Sequence, residues 1–335
     1  MRIAFRDRGD LTQEKLEFAA QIGVDGIVSD APPLDKPGHG YYEFSPLVNL
    51  RTWVESVGLR LEATGLPWRL SYKWMLGLPG RDEQIESFQK TLRNMGAAGI
   101  PIMNYTFTPL SVWRTSVDNP VRGGAKATDF SLDLARDAPP MSGGFVLPYE
   151  TSVIPDEYRR PVSAEEMWDN LTYFLNAVLP VAEEAGVKLA LHPDDPPTSY
   201  PLGGVARIFN SPDGFKRLIE EFPSEYNGLL FCQGCFSEMG TDVIEAIRYF
   251  GSRKRIFYVH FRDVRGTADD FTETFIDEGQ TDMYEAMKAY KEVGFEGPMT
   301  LDHTPHVKGD DAHWGYRGRA FAMGYVKALR RVVFF

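Results

Sequence analysis

The sequence predicts an α/β fold, a (β/α)8 or TIM barrel with a long loop inserted after the fourth strand, and three observations carry that prediction. Short apolar, strand-like runs alternate with helix-period segments eight times along the 335 residues, the order that closes a parallel sheet into a barrel. Four of those runs, all in the second half, deliver a metal-ligand side chain at or near their C-terminal end: His192, Cys232, His260 and Asp302. A barrel gathers the carboxyl ends of its strands on one face, so residues roughly 30 to 40 positions apart converge there. One stretch, 108–161, is rich in Pro, Gly and Asp and is too long for an ordinary strand-to-helix connection.

Taken in order, the first strand is read at 2–5, followed by helical periodicity over 11–22 and a second strand at 26–29. The third strand, 59–64, and the fourth, 101–107, flank a helix over 81–97. Residues 108–161 come next and are read as a lid or pocket wall, because connections after barrel strands lie on the catalytic face; a structural excursion or oligomer contact is the plainer alternative. The helix over 164–185 is marked at both ends, by Ser163 heading a capping-box-like Ser-Ala-Glu-Glu and by Gly186 where a left-handed residue is wanted. Strands at 188–192, 228–232, 255–260 and 298–302 complete the eight, with helices over 240–250 and 283–293, the latter ended by Gly294. Most strands are bounded by Gly, Pro or Asp, and the whole chain, 1–335, reads as one barrel domain.

With 43% hydrophobic and 25% charged residues and no apolar run of bilayer length, the composition is that of a globular protein. The first ten residues hold Arg2, Arg6 and Arg8 but no apolar leader core, which predicts a cytoplasmic location. A net charge of −11 argues against nucleic acid or an anionic membrane as partner. An acidic substrate would therefore need a locally cationic pocket. The two cysteines form a C-x-x-C, but such redox pairs normally open a helix, whereas Cys232 is read as ending a strand, so the redox reading is disfavoured. The apolar ending, 332–335, packs under the barrel or against another subunit of a homo-oligomer.

Three of the six histidines, His192, His260 and His303, fall at strand ends together with a thiol and carboxylates. Imidazole, thiolate and carboxylate together bind a divalent transition metal and leave positions for substrate or water. The thiolate favours Zn²⁺, Fe²⁺ or Co²⁺ over Mn²⁺ on softness alone. Beyond the fifth strand, paired prolines hold His192-Pro-Asp-Asp-Pro-Pro197 extended. Asp194 in that run orients His192 or contacts substrate hydroxyls, or else both aspartates cap the next element. Asp302 and His303 are adjacent, so strand alternation sends their side chains in different directions. One is then free to hold metal while the other faces the reacting carbon.

The chain resembles the mannonate dehydratases nearly end to end. The likeness is carried by Phe5-Arg6, Gly23-Val-Asp-Gly-Ile-Val28, Leu76-Gly-Leu-Pro-Gly-Arg-Asp82, Trp113-Arg114, the His192 to Pro197 run, Phe231-Cys-Gln-Gly234, Tyr258-Val-His-Phe-Arg262, Asp282-Met-Tyr284 and Asp302-His303. The resemblance implies a metal, typically Mn²⁺, held by His192, Cys232, His260 and Asp302, with catalytic roles for His303 and Tyr316. The implied reaction dehydrates D-mannonate to 2-keto-3-deoxy-D-gluconate. It needs a base for the C2 proton, an acid for the departing hydroxyl and a Lewis acid for the charge that develops. Arg6, Arg114 and Arg262 are expected to bind the anionic substrate. This chain departs from the family at Thr106, at Cys235, where relatives have serine, and near Ile276, where relatives often carry histidine. Those departures leave room for a different aldonic acid as substrate. Rival readings are a sugar isomerase or epimerase on a xylose-isomerase-like barrel, or a non-catalytic sugar-acid binding protein.

Overall fold

The computed structural model describes residues 1–8, 11–30, 32, 40–65, 72–110, 112–138, 141, 154–310 and 315–335. The elements are β1 (Arg2–Asp7), α1 (Gln13–Gln21), β2 (Gly26–Ser29), α2 (Phe44–Glu55), β3 (Arg60–Gly65), α3 (Lys73–Leu76), α4 (Arg81–Ala97) and β4 (Ile102–Thr106). There follow β5 (Ser116–Pro120), β6 (Lys126–Ser131), α5 (Leu132–Ala135), α6 (Ala164–Ala185), β7 (Lys188–His192), α7 (Pro212–Glu221), β8 (Asn227–Cys232) and α8 (Gln233–Glu238). The chain ends with α9 (Val243–Ser252), β9 (Ile256–His260), β10 (Val264–Thr267), β11 (Asp270–Glu273), α10 (Met283–Glu292), β12 (Pro298–Thr300) and α11 (Tyr316–Phe334).

The strands β1, β2, β3, β4, β7, β8, β9 and β12 close a barrel in chain order, and every pairing is parallel. The predicted eight strands are thus the barrel strands. Alternation along each strand separates two apolar groups. Ala4, Val28, Ala63, Ile102, Ala190 and Leu230 fill the interior, while Met103, Leu189, Leu191, Leu229, Phe231 and Val259 pack outward against the helices. Interior positions are small where strands crowd together, and the outward Leu, Phe and Val each contribute about 1.5–3 kcal/mol by burial. The helix ends follow from local chemistry. Ser163 Oγ accepts from the Glu166 backbone N at 3.2 Å, and Gly186 ends α6 at a φ of +68°, where a side chain would be strained.

Two findings go beyond the sequence reading. The first is the length of the strands at the site: β1 runs on to Asp7, so Arg6 lies within it, and β12 stops at Thr300, so Asp302 stands two residues past the last pairing. The second is a four-stranded antiparallel sheet, in the order β10-β11-β6-β5. It joins the described part of 108–161 to the hairpin after β9; Phe130 pairs with Phe271 and Asp129 with Thr272. Further ties run from Trp113 N to the Asp195 carbonyl at 3.2 Å and from Lys126 N to the His306 carbonyl at 3.0 Å. Segments following β4, β7, β9 and β12 are therefore laced together beyond the barrel's C-terminal end. Residues 111, 139–140 and 142–153 of the expected lid lie outside the described residues.

Candidate metal centre

His192 ends β7, Cys232 ends β8 and His260 ends β9. The backbone register sets them level. Cys232 pairs with His260, and His260 pairs with Thr300 of β12, two residues before Asp302. Because alternate residues share a face, His192, Cys232 and His260 continue the inward rows of Ala190, Leu230 and Tyr258. One ligand atom from each of His192, Cys232, His260 and Asp302 lies within 4.8 Å of the others. The four sequence-predicted donors thus meet at one point.

Each imidazole ring is oriented by a hydrogen bond. Nδ1–H of His192 donates to its neighbour's carbonyl, Pro193 O, at 2.7 Å, leaving Nε2 for the cluster. His260 uses Nε2 against Tyr258 Oη at 3.1 Å, and Tyr258 in turn meets Thr300 Oγ1 at 2.8 Å. Nδ1 of His260 is buried and has no hydrogen-bond partner among the described residues. A buried lone pair of that kind is costly unless an ion takes it, so the donors present fit a divalent metal. Burial, with Arg6 nearby, holds the His260 imidazole below its ordinary pKa and so neutral. Burial opposes ionisation of Cys232 as well, but hydrogen bonding from Cys235 and the charges of Arg262 and His192 bring its thiol well below the usual range. Asp302 is likewise held well below the usual carboxylate range, against its burial, by His303, Arg6, His260 and Arg262.

Around this cluster lies a shell of ion pairs. Arg6 binds Asp302 Oδ1 and, through Nε at 2.7 Å, Asp30. Arg262 reaches Asp302 Oδ2 from Nε at 3.2 Å, Glu238 at 2.8 Å, Glu273 at 3.0 Å and Asp195 at 3.3 Å. Arg114 makes a two-pronged contact with Asp195 at 2.6 and 2.9 Å and meets Glu273 at 2.7 Å. A second acidic group, Asp195, Cys235 and Glu238, also has its ligand atoms within 4.8 Å of one another. Its cation is the Arg262 guanidinium, which touches all three, Cys235 Sγ at 3.3 Å. Burial pushes Glu238 well up and Glu273 to about 7, against the pull of both arginines.

His303 sits 3.4 Å from Asp302 through Nε2. Its burial, opposed by Asp302 and reinforced by Arg114, Arg262 and Arg8, keeps the imidazole well below its ordinary pKa. Tyr316 opens α11 with its ring 4.6 Å from that of Phe18, and it lines a pocket with Arg6, Arg8, Lys15 and Arg319. Phe5 and Asp7 line the same pocket, and Asp7 pairs with Lys15 at 3.3 Å. Asp194 Oδ2 accepts from the backbone N of Phe209, in the loop before α7, at 2.9 Å. Glu238, Glu273, Asp195 and Tyr258 were not singled out from the sequence for these roles. For Tyr258 a signal existed, since it lies two residues before His260 and shares its face; the buried glutamates carry no local sign of burial beyond their apolar neighbours. Thr106, one of the family departures, is the register partner of His192, and Ile276 is buried.

Known proteins resemble the chain over nearly its whole length. Residues 1–333 match the family described as D-mannonate dehydratase (UxuA). Mannonate dehydratase 2 of Halalkalibacterium halodurans is 33% identical, over 99% of this chain and 99% of its own. Mannonate dehydratase of Thermotoga maritima is 34% identical, over 98% of this chain and 97% of its own. The crystal structure of mannonate dehydratase from Streptococcus suis serotype 2 superposes with a TM-score of 0.85 at 31% identity, covering 99% of this chain and 93% of that one. The chain belongs to the mannonate dehydratase family.

Proposed function

We propose that this protein is a hydro-lyase that removes water from D-mannonate to give 2-keto-3-deoxy-D-gluconate, using a divalent metal held by His192, Cys232, His260 and Asp302. The observation that carries the reading is the meeting of those four donors, with His303 beside them, in a member of this family. Mn²⁺ is the ion favoured by the resemblance, with Fe²⁺, Co²⁺ and Zn²⁺ as alternatives. When bound, the ion supplies Lewis-acid stabilisation of the negative charge that develops on the substrate. The remaining work falls to side chains. His303 and Tyr316 divide two proton transfers, removal of the C2 proton and protonation of the departing C3 hydroxyl. Arg6, at the junction of the metal cluster and the cationic pocket, binds the substrate anion. Arg114 and Arg262 add positive field and fix the carboxylates around the site, and Asp194 fixes the loop that follows His192. The antiparallel sheet, with the described part of 108–161, forms the pocket wall or lid.

Incubation of the metal-loaded protein with D-mannonate, followed by NMR, is expected to yield the 2-keto-3-deoxy acid. Unchanged mannonate, or recovery of an isomer, would sink the proposal. A panel of aldonic acids tests substrate choice, and turnover of another acid in preference to mannonate would point to Thr106 and Ile276 as the residues that changed it.

A further inference from the structure

We propose that the Tyr258 hydroxyl is a positioning group for the metal centre, a single brace that fixes the His260 ring and the strand leading to Asp302. Its part depends on the four-donor centre proposed above, and it adds a residue outside the four donors. An imidazole hangs from a soft, roughly two-fold torsion, so the backbone does not decide which edge of the ring faces the other donors. The hydrogen-bond partners of the ring decide it. His192 takes its orientation from a backbone carbonyl, Pro193 O. His260 takes it from a side chain: Tyr258 Oη lies 3.1 Å from Nε2, and the two rings stand nearly perpendicular, at 89°, with centroids 5.0 Å apart. Pinned on that edge, the ring turns Nδ1 toward the cluster, 3.7 Å from Asp302 Oδ2. Half a turn about the ring bond would withdraw Nδ1 from the cluster and separate Nε2 from its partner.

The same hydroxyl meets Thr300 Oγ1 at 2.8 Å. Thr300 is the last residue of β12 and the register partner of His260, and Asp302 stands two residues further on. Inside the barrel, Tyr258 therefore ties the strand that ends in one donor to the last paired residue before another. Tyr258 packs in the barrel interior with Leu230 and Cys232. It is buried, as are His260 and Thr300, so bulk water does not replace the hydroxyl, and its removal strands a ring nitrogen and a threonine oxygen together.

The test strips the full-length protein with a chelator and reloads it with Mn²⁺, whose affinity is read by competition with a chelating dye, or with Co²⁺, whose visible bands report the ligand geometry. Tyr258→Phe is expected to lower Mn²⁺ affinity about 10- to 100-fold and to shift the Co²⁺ bands at saturation. Thr300→Val should weaken binding by less, and Thr300→Ser should keep wild-type affinity. The double variant, Tyr258→Phe with Thr300→Val, should bind no more weakly than Tyr258→Phe alone, because the two side chains act through one chain of contacts. Val259, between Tyr258 and His260, packs outward; Val259→Ala should lower the melting temperature and leave the bands in place, which separates the brace from a mere loss of packing. Wild-type affinity and bands in Tyr258→Phe, or an equal band shift in Val259→Ala, would overturn the brace alone. If Tyr258→Phe does not fold, the Thr300 variants decide, and equal affinities in Thr300→Val and Thr300→Ser would overturn it. Wild-type protein that binds neither ion would overturn the metal centre and the brace with it.

Discussion

Replacing Arg262 with methionine removes the cation at the centre of the site while keeping a chain of similar bulk. Arg262 contacts Asp195, Glu238, Glu273 and Asp302, and the side chains of all five are at most 3% exposed. Removing one partner of a buried ion pair leaves the others uncompensated and costs about 3–5 kcal/mol. With an unfolding entropy of about 2.1 cal/mol/K per residue, a chain this long would lose about 4–7 °C in melting temperature. The deficit also has a direction with pH. Glu273 is pushed up to about 7 by burial, against Arg262 and Arg114, while an unfolded glutamate ionises near 4.3. Between those values the folded state keeps a proton that the unfolded chain has lost, so this group's contribution to stability falls as pH rises through the window. Without Arg262 the folded pKa moves further up and the window widens. The variant's deficit should therefore be larger at pH 8 than at pH 5, as measured by calorimetry or urea titration at both. A deficit below about 1 kcal/mol, or one equal at the two pH values, would refute the account of Arg262 as the cation of a buried carboxylate cluster.

Cys232→Ala and His260→Ala should each weaken metal affinity by more than the 10- to 100-fold typical of losing a supporting contact, with activity lost in step; a fully active, metal-free Cys232→Ala protein would disprove the site. His303→Asn and Tyr316→Phe should retain metal while kcat falls by about 10²–10⁴-fold, and metal loss in either would reassign that residue to a structural part. A methyl group at Gly234 would collide with the Arg262 guanidinium, so Gly234→Ala should lower the melting temperature and disturb activity without touching any donor. Wild-type stability and turnover in that variant would show that Arg262 has room to move.

The barrel was legible because its strands are buried on both sides and read as short apolar runs, such as Leu-Ala-Leu before His192 and Leu-Leu-Phe before Cys232. The donors were legible because each ends such a run. The antiparallel sheet was not. Its strands, Ser-Val-Asp-Asn-Pro and Lys-Ala-Thr-Asp-Phe-Ser among them, are short and polar, and Phe130 finds its partner 141 residues later at Phe271. No local period encodes such a pairing. The helices α2 and α7 went unread although each carries a buried face. Arg114 and Arg262 looked like substrate cations because a sequence displays the charge and hides what neutralises it; the acids that bind them come from 11 to 159 positions away.

The four donors are not equally anchored. Cys232 and His260 stand opposite each other on hydrogen-bonded strands, so their spacing is inherited from the barrel wall. Asp302 lies past the end of β12 and is steadied by Arg6, Arg262 and His303. The pincer therefore has a stiff jaw and a compliant one. A change of bound ion would be met first at the carboxylate, whose place depends on side-chain partners, and last at the sulfur and the imidazole, whose places depend on the barrel wall.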